Sequence, residues 1–276
     1  AVTLNSTQFN ASRAIGPFLA GVVIAIWGAA AAFLLNAVSF LVVVAVLTVV
    51  RGRPSGQPAG ESFVAGVRRA AQHIWRTPAL VACCTAIIAT AGLGSPLFSY
   101  LVVYGAREFK VTGAALGLLF GAGGAGAVLA APLLLSVAPR IRRAVMLTSA
   151  MATYGAAVAL VGVVHQYWAS IAVLMVFGGA YLAIATTINT SIQLVVADDL
   201  RGKVIALYLM CLTGALPIGL VLWGWSSDAF GLRLTTVCAG VGLMATTAAL
   251  AISGRFQVMA DADSARDEAL RSDPEV

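Results

Sequence analysis

Residues 51–77 read RGRPSGQPAGESFVAGVRRAAQHIWRT, the one long polar interruption in an otherwise almost continuously apolar sequence. The stretch carries five arginines: Arg51, Arg53, Arg68, Arg69 and Arg76. Apolar runs of bilayer length stop at Arg51 and restart just after Pro78. Cationic loops between membrane spans stay on the cytoplasmic side. Placing this loop in the cytoplasm therefore orients every other segment.

Composition points the same way. Of 276 residues, 60% are hydrophobic and only 10% are charged, against roughly 25% charged in soluble domains. The bilayer is the solvent for most of such a chain. Nucleic acid is not the partner implied by the net charge of +6, because the cations sit in short clusters beside apolar runs, where topology explains them. Cys83, Cys84, Cys211 and Cys238 all lie inside apolar runs without CxxC spacing. They read as small buried hydrophobes rather than as metal ligands or disulfides, and no metal or cofactor is expected.

Eight segments are long enough to span, given the roughly 20 apolar residues a span requires. They are 8–27, 30–50 (after a turn at Gly28), 79–104, 113–137, 145–164, 168–195, 204–227 and 232–253. The fold class is thus all-α, a polytopic membrane protein with about eight transmembrane helices. Starting inside, the cytoplasmic loops hold Arg51, Arg53, Arg68, Arg69, Arg76, Arg140, Arg142, Arg143, Arg201, Lys203 and Arg255; the opposite side holds Arg107, Lys110 and Arg233. Eleven against three places both termini in the cytoplasm.

Four parts follow: two spans over 1–50, a cytoplasmic loop over 51–78, six spans over 79–254, and a charged, apolar-poor tail over 255–276 that reads as disordered. Within the loop, 54–60 is a Pro/Gly/Ser-rich linker. Phe63, Val67, Ala70, Ala71 and Ile74 then recur at helical spacing, with Arg68, Arg69, Gln72 and His73 facing away. That pattern fits a short amphipathic helix on the inner membrane surface, with Trp75 at the interface; a solvated basic loop is the alternative.

Several chemistries are absent. Gly121, Gly123 and Gly126 spell GxGxxG, but they lie inside an apolar helix, and no acid occurs between Glu108 and Asp198. Dinucleotide binding needs a strand before the motif and an acid after it. Together with Gly117, these glycines read as small residues that allow close helix contact. GxSxG, HExxH and paired intramembrane acids are missing, so the chain does not read as an enzyme.

The first span holds Arg13 within apolar sequence, with Asn10 close by. An intramembrane cation is costly unless it snorkels to the headgroups, lines a solvated cavity or meets a carboxylate; all three remain open for Arg13. Gly16, Pro17 and Gly21 loosen the same helix and let a neighbour approach. Pro96, Pro132 and Pro217 interrupt later spans, as in helices that bend during transport. Asn36, Tyr100, Tyr104, Tyr181, Thr186, Asn189 and Gln193 are further polar or aromatic residues within spans. Any of them could line a substrate path or form hydrogen bonds. Glu108 and Asp228 read as outer loop charges or caps.

LNSTQFNASRAIGPFLAG at 4–21, AAAFLLNAVSFLVVV at 30–44, DDLRGKV at 198–204, GALPIG at 214–219 and FGLR at 230–233 together resemble the major facilitator superfamily, most nearly its enterobactin-exporter-like branch of bacterial efflux proteins. The resemblance runs from the first residue to about Arg255. It implies twelve spans in two halves, of which this chain would supply spans five to twelve, without the first four; residues 51–77 would be the central loop. Gly16–Gly21 is similar to the fifth-span antiporter motif, with Ala20 in place of a usual glycine. The basic turn at 139–143 sits where the family repeats a gating motif but lacks its usual Gly and Asp, so no gating role is carried over. Asp198, Asp199, Arg201 and Lys203 would form a second cytoplasmic loop. The implied function is secondary export of a small organic molecule, siderophore or drug, across the bacterial inner membrane by alternating access. Any proton carrier would lie outside this chain, since the spans offer no carboxylate. A non-transporting membrane subunit or an inactive truncated transporter is the alternative.

Overall fold

The computed structural model describes residues 2–49, 63–196 and 198–254. The linker at 54–60 and the tail at 255–276 lie outside the described residues, as do the side chains of Asn10, Arg13, Pro17, Asp198 and Asp199.

Helix α1 (Val2–Val49) bends at Gly28, whose φ of 80° and ψ of 171° leave helical space. That backbone region is essentially open to glycine alone, so the expected turn between the first two spans is there. The backbone stays helical through Gly16, Pro17 and Gly21. Helix α2 (Phe63–Arg76) is followed by α3, Pro78–Phe109, which begins with its proline in the first turn, where a missing N–H costs nothing. Then come α4 (Gly113–Val137), a 3₁₀ turn (Ala138–Arg140), α5 (Arg143–Val163), α6 (Tyr167–Val195), α7 (Asp198–Phe230) and α8 (Leu232–Ile252). Among the described residues, seven helices are long and apolar enough to cross a membrane: Ala30–Val49, α3, α4, α5, α6, Leu200–Phe230 of α7, and α8. The protein is an all-α, multi-pass membrane protein. The expected first span falls in the first arm of α1, which is helical in backbone.

Two expectations need correction. Residues 198–203 are not a loop: α7 already begins at Asp198. Acids are favoured at a helix N-terminus, and 198–203 contains no proline, so the single glycine at 202 does not stop the helix. Arg201 instead reaches back, Nη2 donating to the Val196 carbonyl at 3.3 Å. The third span is also longer than expected, because α3 continues through Tyr104–Phe109 as a π-helical segment.

The amphipathic helix forms, but its apolar stripe faces protein. Gly66, Ala70 and Ile74 are buried, while Arg68, Arg69, Gln72 and Trp75 are exposed. The helix lies against the start of α7 and against α3. A Cβ on Gly66 would come within 3.1 Å of Lys203 Cε and Nζ. Small residues at 66 and 70 thus let α2 press onto the bundle.

Helices α3–α8 pack as a bundle, with the largest contacts between α5 and α8, α4 and α6, and α5 and α6. The glycines set the closest crossings. A Cβ on Gly178 would fall on the Gly123 backbone, one on Gly126 on the Met175 backbone, and one on Gly240 against Gly155 and Ala159. Half of the GAGGAG reading is therefore visible at the α4–α6 crossing. Gly117 and Gly121 have nothing within 4 Å of a Cβ and play no part in it. Helix α1 lies against α4, but its 30–49 span is unburied. Of the cysteines, all free, Cys83 is buried, Cys84 and Cys211 are half-buried and Cys238 is exposed, so burial describes only part of the set.

Candidate functional site: an aromatic cavity beside a π-helical turn

Helix α3 changes pitch in its middle. Residues Thr90–Gly94 form a π-helical segment, after which Ser95 and Pro96 open a new α-helical stretch. Proline at 96 has no N–H to donate and crowds the preceding turn, which favours a wider turn there. Pro96 thus ends a local irregularity, whereas α4 and α7 run on as helices through Pro132 and Pro217. Such π-turns occur often at functional sites.

The turn is held from α7. Trp223 Nε1 donates to the Leu93 carbonyl at 3.1 Å, and a Cβ on Gly219 would overlap the Gly92 backbone. From the other side, the Tyr154 ring on α5 occupies the space that a Cβ on Gly94 would need. The π-turn is therefore pinned between α5 and α7 by two contacts that only glycine permits.

Next to it lies a cavity of about 300 Å³, walled by α3, α4, α5, α6 and Leu216 of α7. Tyr154 is fully buried and stacks on Phe177, with centroids 4.6 Å apart and planes at 23°. Tyr181 leans toward the same ring at 6.0 Å. Ser95 Oγ lies 3.5 Å from Tyr154 Oη and donates to the Thr90 carbonyl, an acceptor near the π-turn. Phe98 and Ser99 complete the α3 wall, and Phe98 meets Phe120 edge-on at 5.1 Å. Gly123, Gly124 and Gly178 keep the α4–α6 side low. The lining holds hydroxyls and aromatic faces but no charged side chain. It suits an apolar or weakly cationic ring system, held by stacking and a few hydrogen bonds.

The residues singled out in the sequence fall mostly elsewhere. Tyr181 lines the cavity. Tyr100 does not; it packs on Trp223 at 5.5 Å, behind the π-turn. Gln193 Nε2 donates to Asn189 Oδ1 at 3.3 Å along one face of α6, so one hydrogen bond ties these two amides together. Asn36 lies in the unburied span of α1, its carbonyl accepting from Ser39 Oγ. Tyr104 donates to Thr236 Oγ1 at 2.8 Å, joining α3 to α8. Tyr154, Phe177, Ser95 and Ser99 line the cavity without being singled out by the sequence pattern. A tyrosine and serines inside apolar spans were the signal available.

Residues 1–275 match the family described as transmembrane secretion effector, a branch of the major facilitator superfamily. The chain belongs to that family. Among curated relatives, it is 28% identical over 243 residues to the multidrug efflux pump Tap of Mycolicibacterium fortuitum, covering 86% of this chain and 58% of that protein. The Tap pumps of Mycobacterium bovis and Mycobacterium tuberculosis are 25% identical over 244 residues, covering 86% of this chain and 57% of theirs. The chain thus spans less than three-fifths of the length of these relatives. The reading that this is no enzyme rests on that membership.

Proposed function

We propose that the chain forms the later spans of a secondary exporter that moves small, lipophilic organic molecules by alternating access. The uncharged aromatic and hydroxyl lining of the cavity carries this reading. Charge-free aromatic walls favour neutral or delocalised cationic rings, the chemistry of many drug-like molecules, and the relatives are named as multidrug efflux pumps. A catecholate siderophore is the second candidate substrate, and it would need cations that these walls do not supply. In this reading 1–50 belongs to one half and 79–254 to the other. The contact of α1 with α4 is the seam along which they rock, shaped by Gly16, Pro17 and Gly21. Both termini face the cytoplasm of a bacterium, on the side rich in Lys and Arg. In this reading the helices are spans five to twelve, with any proton-carrying acid supplied from outside this chain.

The test is dye accumulation in a pump-deficient bacterium expressing these helices together with the four preceding spans that this reading requires. Ser99→Trp, which fills the cavity mouth from an exposed position, should abolish efflux of a lipophilic cation such as ethidium while membrane insertion stays normal. Replacing Gly16 and Pro17 together should slow efflux without loss of insertion. Unchanged efflux in Ser99→Trp would remove the cavity from the path. No efflux by the parent protein, with a partner retained through purification, would favour a non-transporting subunit.

A further inference from the structure

The α4–α6 crossing has a second hollow on its other side, toward α5, of about 500 Å³. Its floor is low because Gly126, Ala130, Gly179 and Ala183 carry little or no side chain. Its rim continues into Leu129, Leu133 and Val176, which are 65%, 63% and 51% exposed. Apart from the Ser149 and Thr153 hydroxyls its lining is apolar, and the Ser149 hydroxyl already donates to the Met146 carbonyl, which leaves too few polar partners to hold water. In a membrane, only hydrocarbon is at hand to fill it. One end is closed by Ile141, and Ile141 stands between Arg140 and Arg142, both exposed. Adjacent Cα atoms are about 3.8 Å apart, so both guanidinium groups are tethered at this mouth. The three helices that wall the hollow contain no Asp or Glu, since none occurs between Glu108 and Asp198.

We propose that this hollow is a lipid site. One acyl chain of an anionic phospholipid lies over Ala130 and Gly179, and its phosphate sits against Arg140 and Arg142. The apolar trough selects a chain, and the two cations select a negative headgroup. Each Lys or Arg near a membrane surface favours an anionic lipid. A lipid seated here would brace the α4–α6 crossing from behind, opposite the aromatic cavity. The lipid is taken from the leaflet on the Arg140 side, which is the cytoplasmic leaflet in the orientation proposed above.

The test is lipid retention by the purified full chain, read by native mass spectrometry and independent of any transport activity. The detergent-solubilised protein is titrated with phosphatidylglycerol, with phosphatidylcholine of the same chains, and with inorganic phosphate as competitor. The expected result is one retained phosphatidylglycerol, bound roughly tenfold more tightly than phosphatidylcholine. The double variant Arg140→Ala/Arg142→Ala should lose that preference while still binding both lipids weakly. Thr153→Trp, which fills the hollow from an exposed α5 position, should lose retention of both, with circular dichroism unchanged. Equal retention of the two lipids, or full retention in Thr153→Trp, overturns the proposal. So does displacement of the lipid by phosphate at equal concentration, which would mean that the chain contributes nothing.

Discussion

Arg233, near the start of α8, donates from Nε to Glu108 Oε2 at 2.6 Å, the end of α3 thereby meeting the start of α8. Its Nη1 donates to the Gly162 and Val164 carbonyls, at 3.2 and 2.9 Å, where α5 ends. One guanidinium thus joins three helix ends and meets the carbonyls that a helix C-terminus leaves without intrahelical donors. The pair is mostly shielded, with side chains 22% and 28% exposed.

Removing the two partners should have unequal effects. Arg233→Ala leaves a shielded carboxylate and two carbonyls without their donor, a loss of about 2–3 kcal/mol. Glu108→Gln keeps a hydrogen-bonding oxygen and leaves the α5 carbonyls satisfied, a loss of about 1 kcal/mol. Thermal unfolding in detergent should therefore rank Arg233→Ala well below Glu108→Gln. Equal midpoints would mean that the contacts to α5 contribute nothing.

The glycines of GAGGAG divide into two kinds, and substitution should separate them. A Cβ on Gly126 would collide with the Met175 backbone, which cannot yield as a side-chain tip can. Gly126→Ala should force α4 and α6 apart at a cost of about 1–3 kcal/mol. Gly121→Ala meets nothing within 4 Å and improves helix propensity, a gain of up to about 1 kcal/mol. Melting curves of the two variants should move in opposite directions.

The difference between those glycines could not be read from the sequence. Helix-length apolar runs are legible because a bilayer demands them, and Gly28 was legible as the turn because it lies between two such runs. Which face of a span meets another helix is set by residues far away in the chain. Small residues occur on both faces of α4, and only the partner at Gly178 distinguishes Gly123 from Gly121. The same holds for Arg233 and Glu108, 125 residues apart, which look like separate outer charges until the helices are assembled. Asn189 and Gln193 stand out as polar, yet their spacing of four lets them hydrogen-bond to each other within one helix. Tyr154 and Phe177 did not stand out, because aromatic residues in apolar spans resemble ordinary core. Their role depends on the π-turn of α3, which hydropathy does not register.

That turn supplies a prediction about local stability. Trp223→Phe keeps an aromatic ring against Tyr100 but deletes the donor to the Leu93 carbonyl. In a bilayer no water replaces it, and an unsatisfied carbonyl is costly. The expected loss is about 1–3 kcal/mol. Its signature should be local: faster amide hydrogen exchange across 90–96, with α5 and α8 protected as before. Uniformly faster exchange would mean that Trp223 supports the bundle at large rather than the π-turn.

Gly28 allows the bend of α1 to be tested without disturbing any contact. At φ 80° and ψ 171° it occupies backbone space that side-chain-bearing residues rarely enter. Nothing lies within 4 Å of a Cβ built there, so a substitution is opposed by backbone strain and not by crowding. Gly28→Ala should cost about 1–3 kcal/mol if the bend is kept. The alternative open to the chain is to relieve the strain by straightening, since alanine favours helix on both sides of the bend. Paired spin labels at Val23 and Leu35 distinguish the two. In the parent protein they report a bent helix with a single short separation. In Gly28→Ala the distribution should lengthen toward the value for a continuous helix, at about 1.5 Å of rise per residue. A distribution identical to the parent's, with an unchanged melting temperature, would show that the bend is imposed by packing and that the glycine is dispensable.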